Sequence, residues 1–145
     1  MSAKHKRPES VLVVVYTATN RILLLNRQPP AFWQSITGSM SWAESDPIQT
    51  AQRELWEETR IKVAPGELTN HHKTEQFEIL ANFRHRYKPG TTHNLEFQFS
   101  LRLPAEVDVR IEPREHSEYR WVNLDEARRL IWSWSNLSAV ENLFN

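Results

Sequence analysis

Hydrophobic and polar positions fall into blocks of two kinds along this chain. Residues 9–16 contain the run Val11-Leu12-Val13-Val14-Val15-Tyr16, and Ile22-Leu23-Leu24-Leu25 forms a second run after Arg21. Thr17-Ala18-Thr19-Asn20 lies between them, which predicts two strands joined by a hairpin loop. Unbroken apolar runs of this kind predict strands covered on both faces, here by helices. Residues 28–34 carry Pro29-Pro30 and are expected to form a loop. After that the spacing turns helical. Ile48, Ala51 and Leu55 make one apolar stripe, Ser45 or Asp46 can cap it, and Pro47 suits its first turn. Helix formers continue to Arg60, and Ala64-Pro65-Gly66 ends the element.

Strand-like stretches follow at residues 71–83 and 93–103, with a loop through Arg84-His85-Arg86-Tyr87-Lys88-Pro89-Gly90 between them. Leu95, Phe97, Phe99, Leu101 and Leu103 alternate as a half-buried strand requires. Residues 119–122 read as a short strand, Asn123 or Asp125 as the start of a helix to Leu130, and residues 136–144 as a last helix. The expected fold is α/β, one domain over residues 1–145 with a mixed sheet.

Charge and composition narrow the function. Eighteen Lys and Arg balance eighteen Asp and Glu, so the chain has no general pull on nucleic acid or anionic membrane. A phosphate ligand must then be held by local features or by bound cations. No cysteine is present, which excludes a disulfide scaffold, a thiolate zinc site and a cysteine nucleophile. No apolar run approaches the roughly 20 residues of a membrane-spanning helix. The basic start (Lys4, Lys6, Arg7) lacks the apolar region of a signal peptide, so a cytoplasmic protein is expected.

Chemistry concentrates in Arg53-Glu54-Leu55-Trp56-Glu57-Glu58. At about 100° per residue, Glu54, Glu57 and Glu58 share one face of the predicted helix, and Leu55 points away. Three carboxylates on one face repel, and Arg53 is the obvious compensator. Either this is a solvated acidic face or it holds a hard divalent cation such as Mg²⁺, which takes carboxylate oxygens and substrate phosphates.

Gly38, then Glu44, then Arg53-Glu54-Leu55-Trp56-Glu57-Glu58 with Ile61 beyond, resembles the signature box of the Nudix hydrolases. Two departures stand out. One extra residue separates Glu44 from Arg53, which puts the family's pairing of those two in question. Arg60 occupies the position of the box's second glycine, which suggests a different helix exit. Within the family, the chain looks like the bacterial dihydroneopterin triphosphate pyrophosphatases. That resemblance rests on Lys6-Arg7-Pro8, residues 32–39, residues 84–90, Glu115-His116 before Tyr119-Arg120-Trp121, and Ser133-Trp134-Ser135-Asn136.

The resemblance implies a mixed β-sheet sandwiched between helices, with the box as a loop-helix-loop. It also implies attack of water on a diphosphate-linked phosphorus, dependent on Mg²⁺ or Mn²⁺. The implied substrate is a small-molecule pterin triphosphate or a nucleoside triphosphate such as dATP, with no nucleic-acid or membrane partner. The implied metal ligands are Glu54, Glu57, Glu58 and Glu115, and the general base is Glu58 or its rival Glu115. The implied substrate contacts are Lys6, Arg27, Thr37 and Ser133, although Ser133 could equally cap the last helix. Arg53 reads as structural. Phe32, Trp33 and Trp134 either stack on a flat heterocycle or pack in the core, and His85, Arg86 and His116 are assigned no chemistry.

Overall fold

A computed structural model of the chain describes residues 5–27 and 32–144. Strand β1 (Glu9–Thr17) is central, and Val11 to Val15 are at most 1% exposed, as unbroken apolar runs demand. It turns through Asn20, in left-handed conformation (φ 63°), into antiparallel β2 (Ile22–Arg27). Strand β3 (Phe32–Gln34) pairs with β2, and β4 (Ile36–Ser39) crosses to pair with β1. The loop expected at 28–34 is therefore shorter: residues 32–34 are strand, and 28–31 lie outside the described residues. Phe32-Trp33-Gln34 is too short to show a period, so only its partner strand reveals it.

Strands β5 (Thr69–Glu78) and β6 (His93–Leu103) pair antiparallel, and β6 lies parallel to β1. The sheet is mixed, in the order β3-β2-β1-β6-β5, with β4 also on β1 and β7 (His116–Val122) on β2. Strand β5 ends five residues before the predicted 83, because Ala81–Arg86 coils into a 3₁₀ turn. The backbone N–H of Lys6 bonds to the Arg86 carbonyl at 2.8 Å, docking the N-terminal segment on that turn.

Helix α1 (Pro47–Thr59) packs Ala51 and Leu55 on the odd-numbered face of β1 and β6, against Val11, Val13 and Phe99. Asp46 caps it in a reciprocal box with Gln49. The opposite face, with Leu12 and Val14, is covered by α2 (Leu124–Leu130) and α3 (Trp134–Leu143). Helix α3 begins two residues before the expected position, because Ser133 supplies its cap to the Asn136 N–H. Among the described residues, no helix is long and apolar enough to cross a membrane.

Candidate active site

The front of α1 carries two carboxylate systems in opposite states. In the loop before the helix, Glu44 meets Arg53: Nε to Oε2 is 2.9 Å and Nη2 to Oε1 is 3.0 Å. The Ser41 N–H and Thr50 hydroxyl also donate to Glu44, each at 2.8 Å. These donors, Arg53 first, hold the Glu44 carboxyl at about 2. The extra box residue therefore does not break this pair. Arg53 also reaches Glu54 at 2.8 Å and Glu57 at 3.1 Å, the structural role expected of it.

Arg60, at the box's second glycine position, ends the helix in the conformation that favours glycine: it caps α1 left-handed, with φ 64°.

The second system lies further along α1. Glu58 is 2% exposed, and burial pushes its carboxyl well above the usual range, with the Glu115 charge adding to the effect. Glu54 is pushed to about 8, first by burial and then by the Glu58 charge. The two carboxyls are close enough to share a proton, but when both are ionised neither donates, and Glu58 Oε2 has no donor. Gly38 makes room for this arrangement, because a Cβ there would overlap the Glu54 carboxylate.

The turn at Glu112–Glu115 delivers Glu115 and His116 to the same place at the start of β7. Glu58, Glu115 and His116 offer ligand atoms within 4.8 Å of one another. His116 is as buried as Glu58, and burial lowers its pKa. Its Nε2 lies 2.8 Å from Glu58 Oε1, in hydrogen-bond contact. Sequence reasoning gave His116 no chemistry. Its partner is 58 residues away, and no spacing rule connects them.

The other expected residues divide into two groups. The charges of Lys6 and Arg27 reach the cluster: Lys6 is coupled to Glu54 and Glu115, Arg27 to Glu58 and His116. Glu57 stands at the rim, half-exposed and tied to Arg53. Thr37 and Ser133 belong to the other face: Thr37 pairs with Leu12 on β1, and Ser133 caps α3. Trp33 packs in the core under the Arg120 guanidinium, 4.8 Å from its ring, Phe32 leans on Trp132 at 4.6 Å, and Trp134 is 59% exposed.

Every group in the cluster except His116 is a hard oxygen donor, one buried oxygen lacks a donor, and Glu54, Glu58 and Glu115 crowd like charge together. Those features fit a hard divalent cation. A model of the NUDIX domain matches residues 6–143. The chain belongs to the NUDIX family. Its relatives include the dihydroneopterin triphosphate diphosphatase of Escherichia coli, 45% identical over 94% of this chain and 92% of that one. The Haemophilus influenzae enzyme of the same name is 39% identical over 98% of this chain and 91% of its own length. The solved E. coli dihydroneopterin triphosphate pyrophosphohydrolase superposes with a TM-score of 0.86, at 43% identity and 97% coverage of both chains. This NUDIX chain is a hydrolase of the divalent-metal-dependent kind, with the mixed-sheet fold of its relatives.

Proposed function

We propose that the chain hydrolyses dihydroneopterin triphosphate to dihydroneopterin monophosphate and pyrophosphate, with Mg²⁺ as its ion. The observation that carries this reading is 45% identity to the E. coli diphosphatase along nearly the whole chain, together with the cluster of Glu58, Glu115 and His116. Glu54, Glu58 and Glu115 would hold the ion, with Glu57 at the rim. Bound there, Mg²⁺ would neutralise phosphate charge and acidify a coordinated water.

The chain's own residues have separable tasks. Glu58 Oε2, buried and without a donor, is the atom placed to take the proton of the attacking water, and Glu115 is the rival base. His116 holds the other Glu58 oxygen. Lys6 and Arg27 bind the triphosphate, for which a chain of zero net charge needs local cations. Thr37 and Ser133 contact the ring end of the substrate. Arg53 positions Glu54 and Glu57 while neutralising Glu44.

Pyrophosphate release from dihydroneopterin triphosphate and dATP, at matched concentrations, tests the reading. A pterin preference of more than about tenfold in kcat/KM, abolished by chelator and by Glu58→Gln, is the expected result. Equal or better turnover of dATP moves the chain to nucleotide-pool hydrolysis.

A further inference from the structure

One buried carboxylate has no part in the hydrolysis. Glu96 on β6 is 5% exposed, on the sheet face beneath the start of α3. Strand pairing lays two rows across that face: Glu96, Ser10, Ser39 and, beside it, Gln98, Leu12, Thr37. Leu12 apart, the floor here is polar, whereas further along the same face Val14 packs in the apolar cluster that holds Ala139 and Val140 of α3. Gln98 Nε2 donates to Glu96 Oε1 at 3.3 Å, and the Ser135 hydroxyl bonds to the same carboxylate. Ser135 Oγ in turn lies 3.1 Å from Ser133 Oγ. Glu96 is thus linked through Ser135 to Ser133, the cap of α3, and lies one row along and two strands across from Thr37 on β4.

Among the described residues, Glu96 makes no ion pair, and Glu75 opposite it on β5 adds like charge. Burial raises its pKa accordingly. A carboxylate has about four lone-pair sites, and two neutral donors leave it poorly compensated. A ligand that brings two adjacent N–H groups would complete it. Two strand spacings, about 10 Å, separate β4 from β6, which accommodates a bicyclic ring.

We propose that Glu96 determines ring specificity, its two oxygens accepting the adjacent ring N–H and exocyclic amino group of a 2-amino-4-oxopyrimidine edge. Pterins and guanine carry that edge. Adenine sets a ring-nitrogen acceptor beside its amino group, so one contact becomes lone pair against lone pair. The pterin triphosphate as substrate and the ring contacts at Thr37 and Ser133 rest on the proposed function; the polar, underpaired surroundings of Glu96 do not.

The test uses the whole chain and two readouts. Neopterin, which has the ring and no phosphate, is titrated against adenosine into the wild type, Glu96→Gln and Glu96→Asp. In parallel, kcat/KM is measured for dihydroneopterin triphosphate, dGTP and dATP, with melting curves to establish folding. Glu96→Gln puts a donor against a donor and should weaken neopterin by about tenfold or more, with adenosine changed less than about threefold. The pterin and dGTP rates should fall by similar factors while dATP holds, and Glu96→Asp, which withdraws the carboxylate, should shift selectivity the same way. Unchanged neopterin binding, or an equal loss on all three substrates, overturns the proposal. Should the wild type fail to hydrolyse the pterin triphosphate while Glu96 still governs neopterin binding, the substrate reading falls and the edge recognition stands.

Discussion

Glu44 and Glu58 are the same residue type at the two ends of one helix, and the protein treats them in opposite ways. Glu44 is given a bidentate guanidinium, a backbone N–H and a hydroxyl, and is held ionised down to about 2. Glu58 is buried, faces the charges of Glu115 and Glu57, and keeps one oxygen without a donor. Arg53 serves both ends but spends its guanidinium on Glu44, Glu54 and Glu57, and makes no contact with Glu58 among the described residues. The first arrangement builds a stable loop. The second leaves charge unbalanced where a cation can supply the balance.

The comparison breaks most sharply at Glu58. Replacing it with Gln should lower kcat by about a thousandfold or more, because base and ion site are lost together. The same change should raise the stability of the metal-free protein by about 1 kcal/mol, since a neutral amide replaces a buried, underpaired carboxylate. Steady-state kinetics and chemical denaturation without metal read the two effects. Arg53→Ala acts in the opposite direction: it strips Glu44 of its partner and should destabilise by about 2–4 kcal/mol. Lysine should not restore this, because a point charge cannot span both Glu44 oxygens. The denaturation midpoint measures both variants.

Acidity sharpens the contrast. Glu54 has a folded pKa of about 8 against 4.5 unfolded, so its contribution is most favourable below 4.5 and is lost as pH rises through 8. Glu44 has a folded pKa of about 2, so its contribution is present above 4.5 and is lost as pH falls towards 2. Melting of the metal-free protein should therefore weaken from pH 5 to pH 9 and again below about pH 4. Saturating Mg²⁺ should remove the alkaline weakening and leave the acid limb in place.

Gly38→Ala is the mildest test. The added methyl displaces a flexible carboxylate end rather than backbone, so stability should change by less than about 1 kcal/mol. Metal affinity, read by calorimetry, should fall by about tenfold as Glu54 moves.

The core strands and α1 were legible because their signals are local: an unbroken apolar run, a helical stripe, a cap at Asp46. The three-residue β3 and the end of β5 were not, because partner strands and a 3₁₀ turn decide them. Glu54, Glu57 and Glu58 were visible through helix periodicity. The Glu44–Arg53 pairing stayed in question because loop slack cannot be read from residue counts. His116 and Glu96 were silent for a different reason. Each matters through a contact made by tertiary packing, with Glu58 for one and Ser135 for the other.

The central claim is that the buried carboxylates of α1, with Glu115 just ahead of β7, are an ion site rather than a tolerated defect. Its most direct test is the melting temperature of metal-free protein at pH 8.5, titrated with Mg²⁺, for the wild type and Glu58→Gln. Ion binding to the folded state alone should raise the wild-type midpoint steadily with the logarithm of Mg²⁺ concentration once the site is saturated, and leave Glu58→Gln nearly flat. Equal rises in both proteins, or none in the wild type, would contradict it.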